Sequence, residues 1–275
     1  YYDLISRLHA TGKYELAELA QFSQLNDPRD HIIKWRFYTN EVPPNDPRYA
    51  EFSRNEMNKF CLWRTSKVLL DFKPDFVATI LDPPMAYAHM LSPLRPYFHY
   101  VFSPTVDSAP QVTKWLDCFL QADGLLTYTE YGFETLQKEL GNKGKLFKNA
   151  SPGVNLQIFH TLNKQQIRQK YGIDPNSNIV GTVMRNQPRK LFVDLFNGFK
   201  KYLDKCIESN PGLYKSSYLY CHTTFPDLNP WNLEKVLIEL NLTNKVFFTY
   251  QCQTCGGIFP AFWQDYITTC KYCGK

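Results

Sequence analysis

Four cysteines near the end of the chain have the spacing of a metal site: Cys252-x-x-Cys255, fourteen intervening residues, then Cys270-x-x-Cys273. Each C-x-x-C pair makes a tight knuckle that turns two thiolates to one side, and two knuckles complete a tetrahedral sphere. Gly256 and Gly274 follow the knuckles and permit the positive φ that such turns need. The reading is a structural zinc ribbon, with paired disulfides or an iron site as the alternatives. Four sulfurs leave no open coordination position, so the metal supports the fold and takes no part in chemistry.

A second group is cationic. Arg185, Arg189 and Lys190 lie in Gly181-Thr182-Val183-Met184-Arg185-Asn186-Gln187-Pro188-Arg189-Lys190, between the β-branched run Asn178-Ile179-Val180 and a long apolar-periodic segment. In that segment Leu191, Phe192, Leu195, Phe196, Phe199, Leu203 and Cys206 recur at the three-and-four spacing of a helix that covers a sheet. The cations are thereby expected at the carboxyl end of a strand and the amino end of a helix, where free N–H groups and the helix dipole favour an anion. Arg185 offers a planar fork for a phosphate and Lys190 a mobile point charge. The competing reading makes Arg189 and Lys190 a solvated helix start, although cations there are electrostatically unfavourable without an anion.

The G-x-V-x-R-N-x-x-R-K string followed by a helix resembles the opening of the C-terminal domain in GT-B glycosyltransferases of the family 4 type. Ala150-Ser151-Pro152-Gly153-Val154-Asn155-Leu156-Gln157-Ile158-Phe159 resembles that family's interdomain N-G-V-D-x-x-x-F segment, with Ser-Pro-Gly and Asn as variants. The resemblance covers most of residues 60–250 and is strongest at 150–190. It implies an α/β protein of two Rossmann-like domains: an acceptor-side domain up to residue 150 and the start of a nucleotide-sugar domain over 151–249, with the ribbon inserted at 250–275. It implies transfer of a sugar from a nucleotide-sugar to an acceptor (a glycan, a lipid or a protein) with retention of configuration. Arg185 and Lys190 would hold the donor diphosphate, with Gly181, Asn186, Arg189 and His222 beside it.

Family members also carry a first strand and glycine-rich turn, and a glutamate pair late in the donor domain; neither is in this chain. The chain starts at Tyr1 rather than Met, and the expectation is a piece with little or no activity alone.

The remaining sequence sets the frame. With 275 residues, 44% of them hydrophobic and 16% aromatic, the chain is long enough for two domains with cores. No apolar run reaches the roughly 18 residues that span a bilayer. A net charge of +5, with the cations dispersed, suits a nucleotide-sugar or a membrane surface as well as nucleic acid. Cys61, Cys118, Cys206 and Cys221 lie in apolar contexts and read as buried free thiols of a reducing, cytoplasmic compartment.

Along residues 1–25 a helix, a turn and a strand are expected, then a proline-rich loop over 26–47 and one core helix from Glu51 to Phe72. Phe76–Leu81, Tyr97–Phe102, Gly124–Tyr128 and Lys145–Phe147 read as strands, the first a continuous apolar run suited to a parallel sheet. Helical patterns separate them, which gives a doubly wound domain. After the second strand, Asp107 is the candidate for an acceptor-side polar group, or else a helix N-cap.

In the second half, Asn178–Val180, Ser217–Cys221 and Lys245–Thr249 read as strands, and Asn229-Pro230 as a helix start. The rival function is a binding protein whose ribbon holds nucleic acid or a protein through Lys271, Tyr272, Lys275, Phe259, Phe262 and Trp263. The ribbon contains few cations, and Phe259–Trp263 reads as a segment that packs on its neighbour.

Overall fold

A computed structural model describes residues 2–23, 32–225, 230–263 and 270–275. The chain divides into two compact units, Tyr1–Phe159 and His160–Lys275.

The first unit opens with α1 (Tyr2–Ala10), a turn in which Gly12 has φ +63, and β1 (Ala17–Ala20). β2 (Arg36–Thr39) pairs with β1 in parallel. The loop expected over 26–47 has residues 26–31 outside the described residues, and within the rest Arg36–Thr39 is a strand because Phe37 and Tyr38 find a partner in β1. The single helix expected over 51–72 is broken into α2 (Tyr49–Phe52), a 3-10 turn over Glu56–Phe60 and α3 (Leu62–Phe72). Asn55 caps the turn through a bond from the Met57 N–H, and Cys61 takes a left-handed φ of 73, which no continuous helix allows.

The main sheet of this unit is fully parallel, with β3 (Phe76–Leu81), β4 (His99–Pro104), β5 (Gly124–Thr127) and β6 (Leu146–Asn149) in that order. A short helix α4 (Tyr87–Met90) lies between β3 and β4; α5 (Thr113–Gln121) and α6 (Glu130–Leu140) follow β4 and β5. Tyr100, Phe102, Phe119, Leu125 and Leu136 are fully buried between sheet and helices. Arg95 fixes the start of β4: it pairs with Asp123 at 2.6 Å and donates to the Phe98 carbonyl, while the Tyr100 N–H donates to Asp123. Burial alone would raise the Asp123 carboxyl; the Tyr100 N–H and Arg95 outweigh it and hold it at about 2. An apolar groove of about 670 Å³ is bordered by β1 and β3 and includes Leu69 of α3 and the buried His89.

The second unit begins with α7 (Lys164–Lys170), capped by Asn163. β7 (Asn178–Val183) leads to α8 (Phe192–Ser209) and α9 (Pro211–Ser216), then β8 (Ser217–His222), α10 (Leu233–Glu239), β9 (Val246–Gln251) and β10 (Ile258–Phe262). The sheet order is β10-β9-β8-β7; β7, β8 and β9 are parallel and β10 is antiparallel to β9. Phe192, Phe196, Phe199 and Leu203 of α8 and Leu233 and Leu237 of α10 pack with Leu219, Cys221, Val246 and Phe248 of the sheet. Asn229 lies outside the described residues; the helix starts later than expected, at Leu233, where Asn232 accepts from the Lys235 N–H. Lys245 is buried with its ammonium 4.3 Å from the Tyr214 ring centre, bonded to the Tyr214 carbonyl, and burial lowers its pKa.

Candidate functional site

β7 runs out at Val183, and Met184 keeps one more bond to the His222 carbonyl and packs against the core. The chain then leaves the sheet, which places Arg185 on the surface. Pro188–Lys190 form a 3-10 turn, and Leu191 takes a left-handed conformation (φ 51, ψ 46) before α8 begins. Leu191 was expected on the apolar face and is instead 54% exposed, because the αL joint swings it away from the core.

That joint has a chemical consequence. α8 has no side-chain cap at its N-terminus among the described residues, so its first-turn N–H groups are left open there. Arg185 and Arg189 are exposed and Lys190 is half-buried, and none of the three has an anionic partner among the described residues. Three cations and an open helix N-terminus are thus gathered at the carboxyl end of β7.

Asn186 is the buried member of the loop, 6% exposed. Its Nδ2 donates to the Trp231 carbonyl at 2.8 Å, whereas Oδ1 is buried without a partner among the described residues. One strand over, Thr223 Oγ1 is also buried and has no partner among the described residues. Val183 pairs with His222, so Thr223 and Met184 leave the sheet from adjacent strand ends. An unpaired buried polar atom costs roughly 1–3 kcal/mol, and two at one crevice call for a ligand or water to pair them. Thr223 carries no signal in the sequence beyond its place after a strand.

His222 ends β8, exposed, with Nδ1 2.8 Å from Thr249 Oγ1; the same hydroxyl is 2.6 Å from the Tyr220 hydroxyl. The imidazole is therefore fixed by β9. Gly181 lies inside β7 opposite Tyr220, and a Cβ there would meet only Tyr220 Cδ1, at 3.9 Å, an ordinary contact. Packing within the chain does not require a glycine at 181.

In the first unit Asp107 is exposed three residues beyond β4. It does not cap a helix: α5 starts at Thr113 with Val112 in the cap position and no side-chain cap. Between them the Gln111 N–H donates to both oxygens of Glu139.

The four cysteines converge as their spacing implies. Cys252 Sγ lies 3.7 Å from Cys273 Sγ and Cys255 Sγ 3.7 Å from Cys270 Sγ, with all four within 4.8 Å of one another and none in a disulfide. A tetrahedron with metal–sulfur bonds of about 2.3 Å has edges of about 3.8 Å, so the donor set fits one metal ion. Gly256 (φ 70) and Gly274 (φ 69) turn the two knuckles, and each N–H bonds back to the first cysteine, Cys252 at 2.9 Å and Cys270 at 2.8 Å. Backbone N–H groups of Cys255 and Thr254 aimed at the Cys252 sulfur bring its thiol down to about 6. Burial does the opposite at Cys61 and Cys221, pushed up to about 12, so these thiols are inert core residues.

No family model and no curated protein matches the chain. Solved structures do. UDP-GlcNAc 2-epimerase from Methanocaldococcus jannaschii matches at TM-score 0.52 and 15% identity over 89% of this chain and 67% of that one. A trehalose-6-phosphate structure from E. coli bound with UDP-2-fluoro glucose matches at TM-score 0.53 and 12% identity, over 90% of this chain and 70% of that one. Its fold is α/β of the GT-B kind. A UDP-N-acetylglucosamine 2-epimerase structure from Listeria monocytogenes gives TM-score 0.51 and 16% identity, over 84% and 59%. The chain spans 59% to 70% of the length of these GT-B structures, and identities this low carry the fold alone. No helix among the described residues is long and apolar enough to cross a membrane.

Proposed function

We propose that the crevice at the carboxyl ends of β7 and β8 binds a nucleotide-sugar, in a glycosyltransferase that moves the sugar to an acceptor with retention of configuration. The observation that carries this reading is a group of cations at an uncapped helix N-terminus, beside two buried polar atoms, none of them with a partner among the described residues. A diphosphate fits that set. Arg185 would take it by a forked pair of bonds and Lys190 by charge, and the α8 N–H groups would add dipole.

The leaving group gains negative charge in the transition state, so the same cations lower the barrier without a divalent metal. Arg189 supports the field, Asn186 and His222 contact the nucleotide, and Gly181 leaves room at the strand. Two of the similar structures are a UDP-GlcNAc 2-epimerase and one bound with UDP-2-fluoro glucose, which favours a uridine donor. Asp107, exposed past the end of β4, is assigned to the acceptor side, which lies in residues 1–150; the donor domain occupies 151–249 and the ribbon 250–275. The acceptor is a glycan, a lipid or a protein, reached in the cytoplasm or at a membrane surface. The ribbon holds zinc, as a structural ion. Lys271 of the ribbon lies over the rings of Tyr171, Phe259 and Tyr272, which occupies it within the chain and speaks against nucleic acid.

Calorimetric titration with UDP-, GDP- and ADP-sugars tests the reading. One donor should bind, and Arg185→Ala and Lys190→Ala should each weaken it by roughly 1.5–3 kcal/mol, the worth of a charge-assisted bond. Failure of every donor to bind the folded, metal-loaded chain, or binding that ignores both substitutions, would overturn it.

A further inference from the structure

The four-cysteine cluster and the crevice share a strand. β10 pairs with β9 through five register pairs, from Ile258 with Gln251 to Phe262 with Phe247, so the ribbon is the outer strand of the same sheet. Cys252 follows directly on Gln251, the last residue of β9. Its N–H bonds to the Gly257 carbonyl at 2.9 Å, closing the knuckle onto the entry to β10. From the second knuckle the Tyr272 hydroxyl reaches the Ile258 carbonyl at 3.2 Å and its ring meets Phe259, which in turn stacks on Tyr250 of β9. At the other end of β10, Phe262 packs on Tyr218 and Phe247. Three residues before Cys252, Thr249 holds the His222 imidazole and the Tyr220 hydroxyl.

We infer that metal binding at Cys252, Cys255, Cys270 and Cys273 is linked through β9 to ligand binding at the crevice, so that loss of the metal loosens His222 and weakens the ligand. The inference rests on the nucleotide-sugar reading of that crevice. Its physical basis is the pairing of β9. β9 has β8 on one side and β10 on the other, and from the Cys252 N–H bond to the Gly257 carbonyl the hydrogen-bonded pairs of the antiparallel ladder alternate on through Tyr250 with Phe259 and Phe248 with Ala261. With the metal bound, both knuckles are tied to one point and β10 is anchored where it leaves β9. Without it, four mutually close thiols lose their common partner, β10 frays from its Ile258 end, and Thr249 and Tyr250 lose a neighbour. A ligand that needs His222 in place must then order β9 as it binds, and that cost appears as lost affinity. By linkage the ligand raises metal affinity by the same factor.

UDP, the part common to the donors named for the solved relatives, is the probe. Titration of the zinc-loaded chain should give about tenfold tighter binding than titration of the same chain stripped by chelator under reducing conditions. Zinc competition against a chromogenic chelator should show the same factor when UDP is saturating. Thr249→Val keeps a β-branched strand residue but cuts the bond to His222; it should leave zinc affinity unchanged and erase the linkage. Hydrogen exchange of the stripped chain should show lost protection in β9 and β10 with β7 and β8 still protected.

Each contrary result is decisive. UDP bound equally well with and without zinc overturns the linkage and leaves the donor reading standing. No UDP binding by the zinc-loaded chain overturns both. β7 and β8 opening together with β9 on stripping would make the cluster a support of the whole unit and overturn a link that runs through β9.

Discussion

His89 is 8% exposed against the Tyr100 ring, and burial holds its imidazole down at about 4. A folded pKa below the unfolded value of about 6.5 means that the unfolded chain takes the proton first. The stability tied to His89 is therefore complete above about pH 6.5 and is lost as pH falls toward 4, to a total of about 3 kcal/mol at 1.36 kcal/mol per unit. Urea midpoints between pH 7.5 and 4.5 should show that decline, and His89→Phe should flatten it. Arg185 presents the reverse case: it is exposed and has no ion-pair partner among the described residues. Arg185→Ala should change stability by no more than about 0.5 kcal/mol while it weakens donor binding, a separation that melting and calorimetry on one sample reveal. These cations were legible in the sequence because charge beside a strand and a helix is a local pattern. Thr223 was not, because its unsatisfied hydroxyl exists only once β7 and β8 are side by side.

At the scale of the element, the joint between β7 and α8 stands on a leucine in a left-handed conformation, which costs a residue with a Cβ about 1–2 kcal/mol. The side chain is 54% exposed and returns little by packing. Leu191→Gly should accordingly gain up to about 1 kcal/mol in urea unfolding, part of the relief being offset by the freer unfolded chain. At the start of α10, Asn232→Ala should lose about 1 kcal/mol, the worth of an N-cap bond, by the same measurement. The elements that could be read directly were those whose apolar pattern is continuous, such as β3 and α8. β2 was hidden among prolines, since nothing local shows that Phe37 and Tyr38 have β1 to pair with. The break at Cys61 was invisible to periodicity, which registers which face is apolar but not that Asn55 caps a separate turn. β10 was read only as a packing segment, since its aromatics show that it packs but not that it pairs with β9; Pro260 is tolerated there because β10 is an edge strand.

At the scale of the whole molecule, the two compact units have separate cores, and the metal cluster belongs to the second. Chelation under reducing conditions should lower the melting of the second unit by several degrees and leave that of the first unchanged. Calorimetry resolves the two transitions, and tryptophan fluorescence assigns them through variants that keep only Trp35, Trp63 and Trp115 of the first unit or only Trp231 and Trp263 of the second. The second sheet also ends differently on its two sides. On one flank Pro260 interrupts the row of donors and the cysteine knuckles tie the strand down; on the other, among the described residues, no strand pairs with the outer edge of β7, where Val180 and Val183 are 45% and 76% exposed. A sheet with two bare flanks can add copies without end, whereas one with a single bare flank closes when two like edges meet about a two-fold axis. Of the two edges β7 is thus the better placed to accept another strand, and two β7 edges brought together would close as a pair.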